Sequence, residues 1–168
     1  MSNIINLVCE ACPIESKVIP VKLRKEFLKK SITGVSTVVD LHGLDSQAVD
    51  QKVQPHARIM YVDDRMTVRS YSIVTALAVR KNGASLSPDD ITLVCEACSI
   101  EGRVIPVILK KSSFKASITG VSTVIDLHGI DKLADADSNI QQHVRILYVD
   151  ERMSVRSYSV VTALAGRK

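Results

Sequence analysis

Most of this sequence is written twice, and that constrains its folding more than any other feature. Leu7-Val8-Cys9-Glu10-Ala11-Cys12 returns as Leu93-Val94-Cys95-Glu96-Ala97-Cys98. Residues 31–38 return as 117–124, and Arg69-Ser70-Tyr71-Ser72 returns as Arg156-Ser157-Tyr158-Ser159. The offset is 86 residues as far as His42 and His128, and 87 from His56 and His143 onward. One residue has therefore been inserted between these points, which marks a loop. About two-thirds of the paired positions are identical, far above chance self-similarity.

The expected organisation is a tandem duplication of one unit of roughly 77 residues, with unit one at 1–81 and unit two at 91–168. Residues 82–90, Asn-Gly-Ala-Ser-Leu-Ser-Pro-Asp-Asp, have no counterpart in the first copy and read as a linker. A fused pair can recreate a homodimer inside one chain, so a pseudo-two-fold intramolecular dimer is expected. Each unit is near the size at which a core alone gives marginal stability. Pairing of the copies, or a metal in each, is expected to carry part of the fold.

Composition narrows the class. Hydrophobic residues are 46%, charged residues 24% and aromatics 4% with no Trp, which is globular and neither disordered nor fibrous. No apolar run approaches the ~18 residues of a membrane span, and no membrane partner is expected. The start, Met1-Ser2-Asn3-Ile4-Ile5, lacks the basic segment and cleavage site of a secretory signal. Four Cys without an export signal point to reduced thiols and a cytoplasmic setting. The net charge of +4 is compatible with a nucleic acid or other anionic partner without requiring one.

Val and Ile dominate, with frequent Thr and Ser, which favours strands. The expected class is mainly β, or α+β with a short helix per unit. Ile5, Leu7 and Cys9 alternate in a first strand. Ile19, Val21 and Leu23 alternate in a second, where Pro20 implies an edge. A third strand runs over 35–41, placing Ser36, Val38, Asp40 and His42 on one face. A fourth covers 57–62, and Asp63-Asp64-Arg65 is a turn. Residues 66–79 read as strand more than helix.

Each copy holds two Cys and two His: Cys9, Cys12, His42 and His56, then Cys95, Cys98, His128 and His143. A Cys-x-x-Cys turn can present two thiolates to tetrahedral zinc, and neutral His completes such a site. Asp40 shares a face with His42, and Asp126 with His128, so either carboxylate can orient its imidazole or ligate the metal itself. The expected ligands are Cys9, Cys12, His42, Cys95, Cys98 and His128. Asp40, His56, Asp126 and His143 are additional candidates. Spacing departs from a zinc finger, because 29 residues separate Cys12 from His42, so the fold must assemble the site. Other readings of the cysteines are an all-thiolate site across both copies, a redox pair, or small buried side chains.

Arg58, Arg65 and Arg69 recur as Arg145, Arg152 and Arg156. Guanidinium is suited to phosphate, and Tyr71, two residues beyond Arg69, adds a stacking surface for nucleic acid. The competing reading pairs these arginines with neighbouring carboxylates such as Asp63 and Asp64. A basic run over 22–30 thins in the second copy to Lys110, Lys111 and Lys115.

Dinucleotide-binding, P-loop, nucleophile-elbow and zinc-protease motifs are all missing. The expected function is a duplicated, zinc-stabilised binding or regulatory module offering its surface to nucleic acid or a protein, with further homo-oligomerisation open. The alternatives are a metal-dependent hydrolase using the Cys, His and Asp residues, and a structural protein with inert cysteines.

Overall fold

A computed structural model describes residues 2–8, 18–25, 28, 32–43, 55–78, 88, 91–94, 104–109, 118–128 and 142–165. The chain is mainly β. Ten strands are present among these residues and no α-helix, so no helix there is long and apolar enough to cross a membrane.

The first hairpin joins β1 (Ser2–Val8) to β2 (Val18–Arg24), with register running from Ser2 opposite Arg24 to Val8 opposite Val18. Pro20 faces Asn6 in this two-stranded sheet. Such a sheet has an outer edge on both strands, where a residue without an N–H costs little. Val21 and Leu23, two apart on β2, are both buried.

The main sheet of the first copy has the order β3-β4-β5, all antiparallel, from Val35–His42, His56–Asp63 and Val68–Val74. The central β4 is buried along nearly its whole length, and only Tyr61 is partly exposed. This is the signature of a strand covered on both faces. β5 is the opposite, with four consecutive exposed residues over 69–72. It is the outer strand.

The second copy repeats this layout. β6 (Ile91–Val94) pairs with β7 (Val104–Val107), and Pro106 faces Thr92. β8 (Val121–His128), β9 (His143–Asp150) and β10 (Val155–Val161) form the sheet β10-β9-β8. The extra residue of this copy falls between His128 and His143, outside the described residues. The ladder is unaffected, because His42 faces His56 and His128 faces His143.

Asp63 and Asp150 build the tight turns. Asp63 Oδ1 accepts from the Arg65 and Thr67 amides at 3.0 and 2.8 Å. Asp150 Oδ1 accepts from Arg152 and Ser154, both at 2.9 Å. Met66 and Met153 close these turns in the left-handed region, at φ 63 and 64°, where Gly or Asn is the usual residue. The segment read as strand over 66–79 therefore resolves into turn, the strand β5, and an isolated parallel bridge at Leu77.

That bridge decides how the chain divides. Two compact units form, one of residues 1–75 with 163–168, the other of residues 76–162. In the first, the Val39 amide donates to Ala163 O at 3.0 Å and the Ala165 amide to Val39 O at 2.9 Å. In the second, the Ile125 amide donates to Ala76 O at 2.9 Å and the Ala78 amide to Ile125 O at 2.8 Å. The outer edges of β3 and β8 are thus each extended by a short parallel segment. In sequence, that segment belongs to the other copy.

Candidate functional site

Among the described residues, the most chemically distinctive place in either unit is a cluster of four buried polar side chains. On β3, Asp40 and His42 are two residues apart and share a face; on β4, so do His56 and Arg58. The antiparallel register sets Arg58 opposite Asp40 and His56 opposite His42. All four are at most 1% exposed.

Asp40 Oδ2 is the hub. It accepts from Arg58 Nη2 at 2.6 Å and Arg58 Nε at 3.2 Å, and lies 2.7 Å from His42 Nε2. An ionised carboxylate only accepts, so the His42 tautomer consistent with this contact carries its proton on Nε2. The His42 and His56 rings stack at a tilt of 40° with centroids 4.7 Å apart. In the second unit Asp126 Oδ2 accepts from Arg145 Nη2 at 2.6 Å and Nε at 2.8 Å, with His128 Nε2 at 2.6 Å. His128 and His143 stack at 4.5 Å and 34°.

One carboxylate faces one guanidinium within each cluster. Burying such ions is costly, and charge-assisted hydrogen bonds in a dry interior offset that cost. A ladder of Asp-x-His against His-x-Arg also fits one register only, since a one-residue slip turns all four side chains to the opposite face.

The structure thus brings together Asp40, His42 and His56, three of the five expected metal residues of the first copy, and Asp126, His128 and His143 in the second. Cys9, Cys12, Cys95 and Cys98 lie outside the described residues. Among those described, no group of three or more His, Cys, Asp or Glu is placed to hold a metal ion.

The arginines divide into three environments. Arg58 and Arg145 point inward to Asp40 and Asp126, away from the surface where an anion would meet them. Arg65 and Arg152 are exposed turn residues. Arg69 and Arg156 have exposed side chains but pair with Asp63 Oδ2 and Asp150 Oδ2, each at 2.7 Å. The cause is a β-bulge: Val62 faces Val68 while Tyr61 faces Ser70, leaving Arg69 without an opposite residue. The same shift occurs at Arg156. It breaks the two-residue alternation that would put Arg69 and Tyr71 on one face.

Asp63 titrates below its ordinary value of 3.8, chiefly because the Thr67 amide bonds its charged form; burial opposes this, and Arg69 and the Arg65 amide add to it. Asp150 is lowered in the same way, with Ser154 as the main donor.

Arg58 as the partner of Asp40 was the residue that sequence reasoning missed. The signal was present: Arg58 follows His56 by two, as Asp40 precedes His42 by two, which is what an antiparallel ladder requires. No protein-family model matches the chain, and comparison with curated proteins and with solved structures finds no match.

Proposed function

We propose that this protein is a duplicated, non-catalytic binding module whose buried clusters are structural and whose outer strands, β5 and β10, meet a partner. The observation that carries this reading is the burial of Asp40, His42, His56 and Arg58, and of their counterparts, to 1% exposure or less. A substrate has no access to such side chains, which weighs against their use in hydrolysis. The repeated register and the lent segments at 76–78 and 163–165 support a duplication, and the pseudo-two-fold arrangement is part of the proposal.

A protein partner suits the outer strands better than a nucleic acid. Arg69 and Arg156 are already paired with carboxylates, while an outer strand offers backbone groups to an extended peptide. Zinc also belongs to the proposal, held by Cys9 and Cys12, and by Cys95 and Cys98. His42 and His128 would complete the set as neutral imidazoles. Asp40 and Asp126 then act as the orienting carboxylates.

Selection of extended peptides from a random library against the full chain tests the binding reading. Two equivalent peptides per chain are expected, lost together on Tyr71→Ala with Tyr158→Ala. Salt-sensitive retention on single-stranded DNA, abolished by Arg69→Glu with Arg156→Glu, would favour nucleic acid instead. Metal analysis of the purified chain, with and without a chelator, tests zinc. Unchanged stability after chelation would remove it from the fold.

A further inference from the structure

The outer edges of β3 and β8 are each closed by a segment of the same sequence: residues 74–78 and 161–165 both read Val-Thr-Ala-Leu-Ala. The strands that receive these segments, Val35–His42 and Val121–His128, differ at one position, Val39 against Ile125. Those two residues make the bonds. Val39 gives its amide to Ala163 O and its carbonyl to the Ala165 amide; Ile125 does the same with Ala76 and Ala78, all at 2.8–3.0 Å. Main-chain bonds of this kind read strand geometry, not which copy supplies the segment.

The segments are needed as well as interchangeable. Val39 and Ile125 are both 0% exposed, and a buried backbone group left without a partner costs as much as a lost hydrogen bond. Yet neither copy closes its own edge. The compact unit built on residues 1–75 takes 163–165, and the unit of residues 76–162 takes 76–78. Every first copy is therefore completed by a segment from a second copy, and every second copy by a segment from a first. The bonds form equally well whether the two copies share one chain or belong to two. What favours the same chain is the tether over residues 79–90, which raises the local concentration of the segment without adding a contact.

We propose that the outer edges of β3 and β8 are assembly sites for a second copy of this chain. Residues 163–165 of one molecule close β3 of another, and residues 76–78 of that other close β8 in return. Such an exchanged dimer repeats the contacts of the single chain, so exchange is a low-cost route to assembly. A short flexible tether holds the local concentration in the millimolar range. The single chain is then the main form when dilute, and the exchanged dimer gains as the protein is concentrated. The inference goes beyond the binding reading given for β5 and β10, and leaves those strands open to their partner.

The test is refolding of the full chain from urea at about 1 µM and about 500 µM, followed by size-exclusion chromatography with light scattering. The dilute sample should give the single-chain mass of 18.4 kDa. The concentrated one should add a discrete species of twice that mass, in a share about tenfold or more greater. A protease site inserted after Ser85 then shows how the two chains are joined. In an exchanged dimer each first copy is held by the second copy of the other chain, so cutting both tethers returns particles of single-chain mass. Chains joined by another surface, the outer strands included, keep the double mass after cutting. A double-mass species that survives cleavage, or no discrete species of that mass at either concentration, would overturn the proposal. Neither result bears on peptide binding by β5 and β10, which is measured on the dilute single chain.

Discussion

Asp40 and Arg58 face each other across the β3–β4 ladder, and the guanidinium reaches one carboxylate oxygen through both Nη2 and Nε. With both side chains buried, the pair is worth most when only one member is removed. Arg58→Met should leave an uncompensated carboxylate in the core and cost roughly 3–5 kcal/mol. Asp40→Leu combined with Arg58→Met should recover most of that loss, since an apolar pair of similar volume needs no compensation. Urea unfolding of the two single variants and the double variant gives the coupling directly. A loss under about 1 kcal/mol for Arg58→Met would show that the charge is not buried in solution.

The turn carboxylates predict the response to acid. Asp63 and Asp150 titrate below 3.8 in the folded chain, mainly through the Thr67 and Ser154 amides. A lowered folded-state value means that each contributes stability present above the unfolded-state value, and lost as pH falls through the folded-state value. Asn retains the side-chain acceptor for the two turn amides, so Asp63→Asn with Asp150→Asn isolates the charge. The variant should be less stable than wild type at neutral pH, and the two should converge once pH has fallen below the folded-state value. A gap that stays constant with pH would mean the loss comes from packing.

Met66 and Met153 occupy a conformation that costs an L-residue about 1 kcal/mol or more. Met66 is buried and Met153 only partly so, which separates the two effects. Met153→Gly should be neutral or stabilising by up to about 1 kcal/mol. Met66→Gly should be worse, because it also removes a buried side chain. Met153→Val should destabilise, as a β-branched residue fits the left-handed region poorly. Thermal melts of the three variants fix the order, and Met153→Val at wild-type stability would contradict it.

Much of this could be read before any coordinates. Alternation along 35–42 named the face that carries Asp40 and His42, and composition was enough for a mainly β chain. The partner Arg58 was hidden because strand register depends on two segments at once, and a local pattern reports only one. The register shift at Arg69 was hidden for a related reason: a bulge depends on both strands, and bulges have no strong single-residue signal. The lent segments were hidden more deeply. Ala76-Leu77-Ala78 and Ala163-Leu164-Ala165 are identical in sequence, so nothing local says which β3-like strand each will join.

That ambiguity makes the segments testable. The Ala78 amide donates to Ile125 O and the Ala165 amide to Val39 O, so proline at either position removes one donor from one unit. Each change should cost about 1–3 kcal/mol. The informative readout is where amide exchange speeds up. Ala78→Pro should accelerate exchange at Ile125, whose own amide donates to Ala76 O, and leave Val39 protected. Ala165→Pro should do the reverse. Because Ala78 lies in the first copy, a chain whose copies each kept their own segment would show the opposite pattern: Ala78→Pro would expose Val39. Exchange monitored at these two amides therefore distinguishes lent segments from retained ones by a single crossed pair of variants.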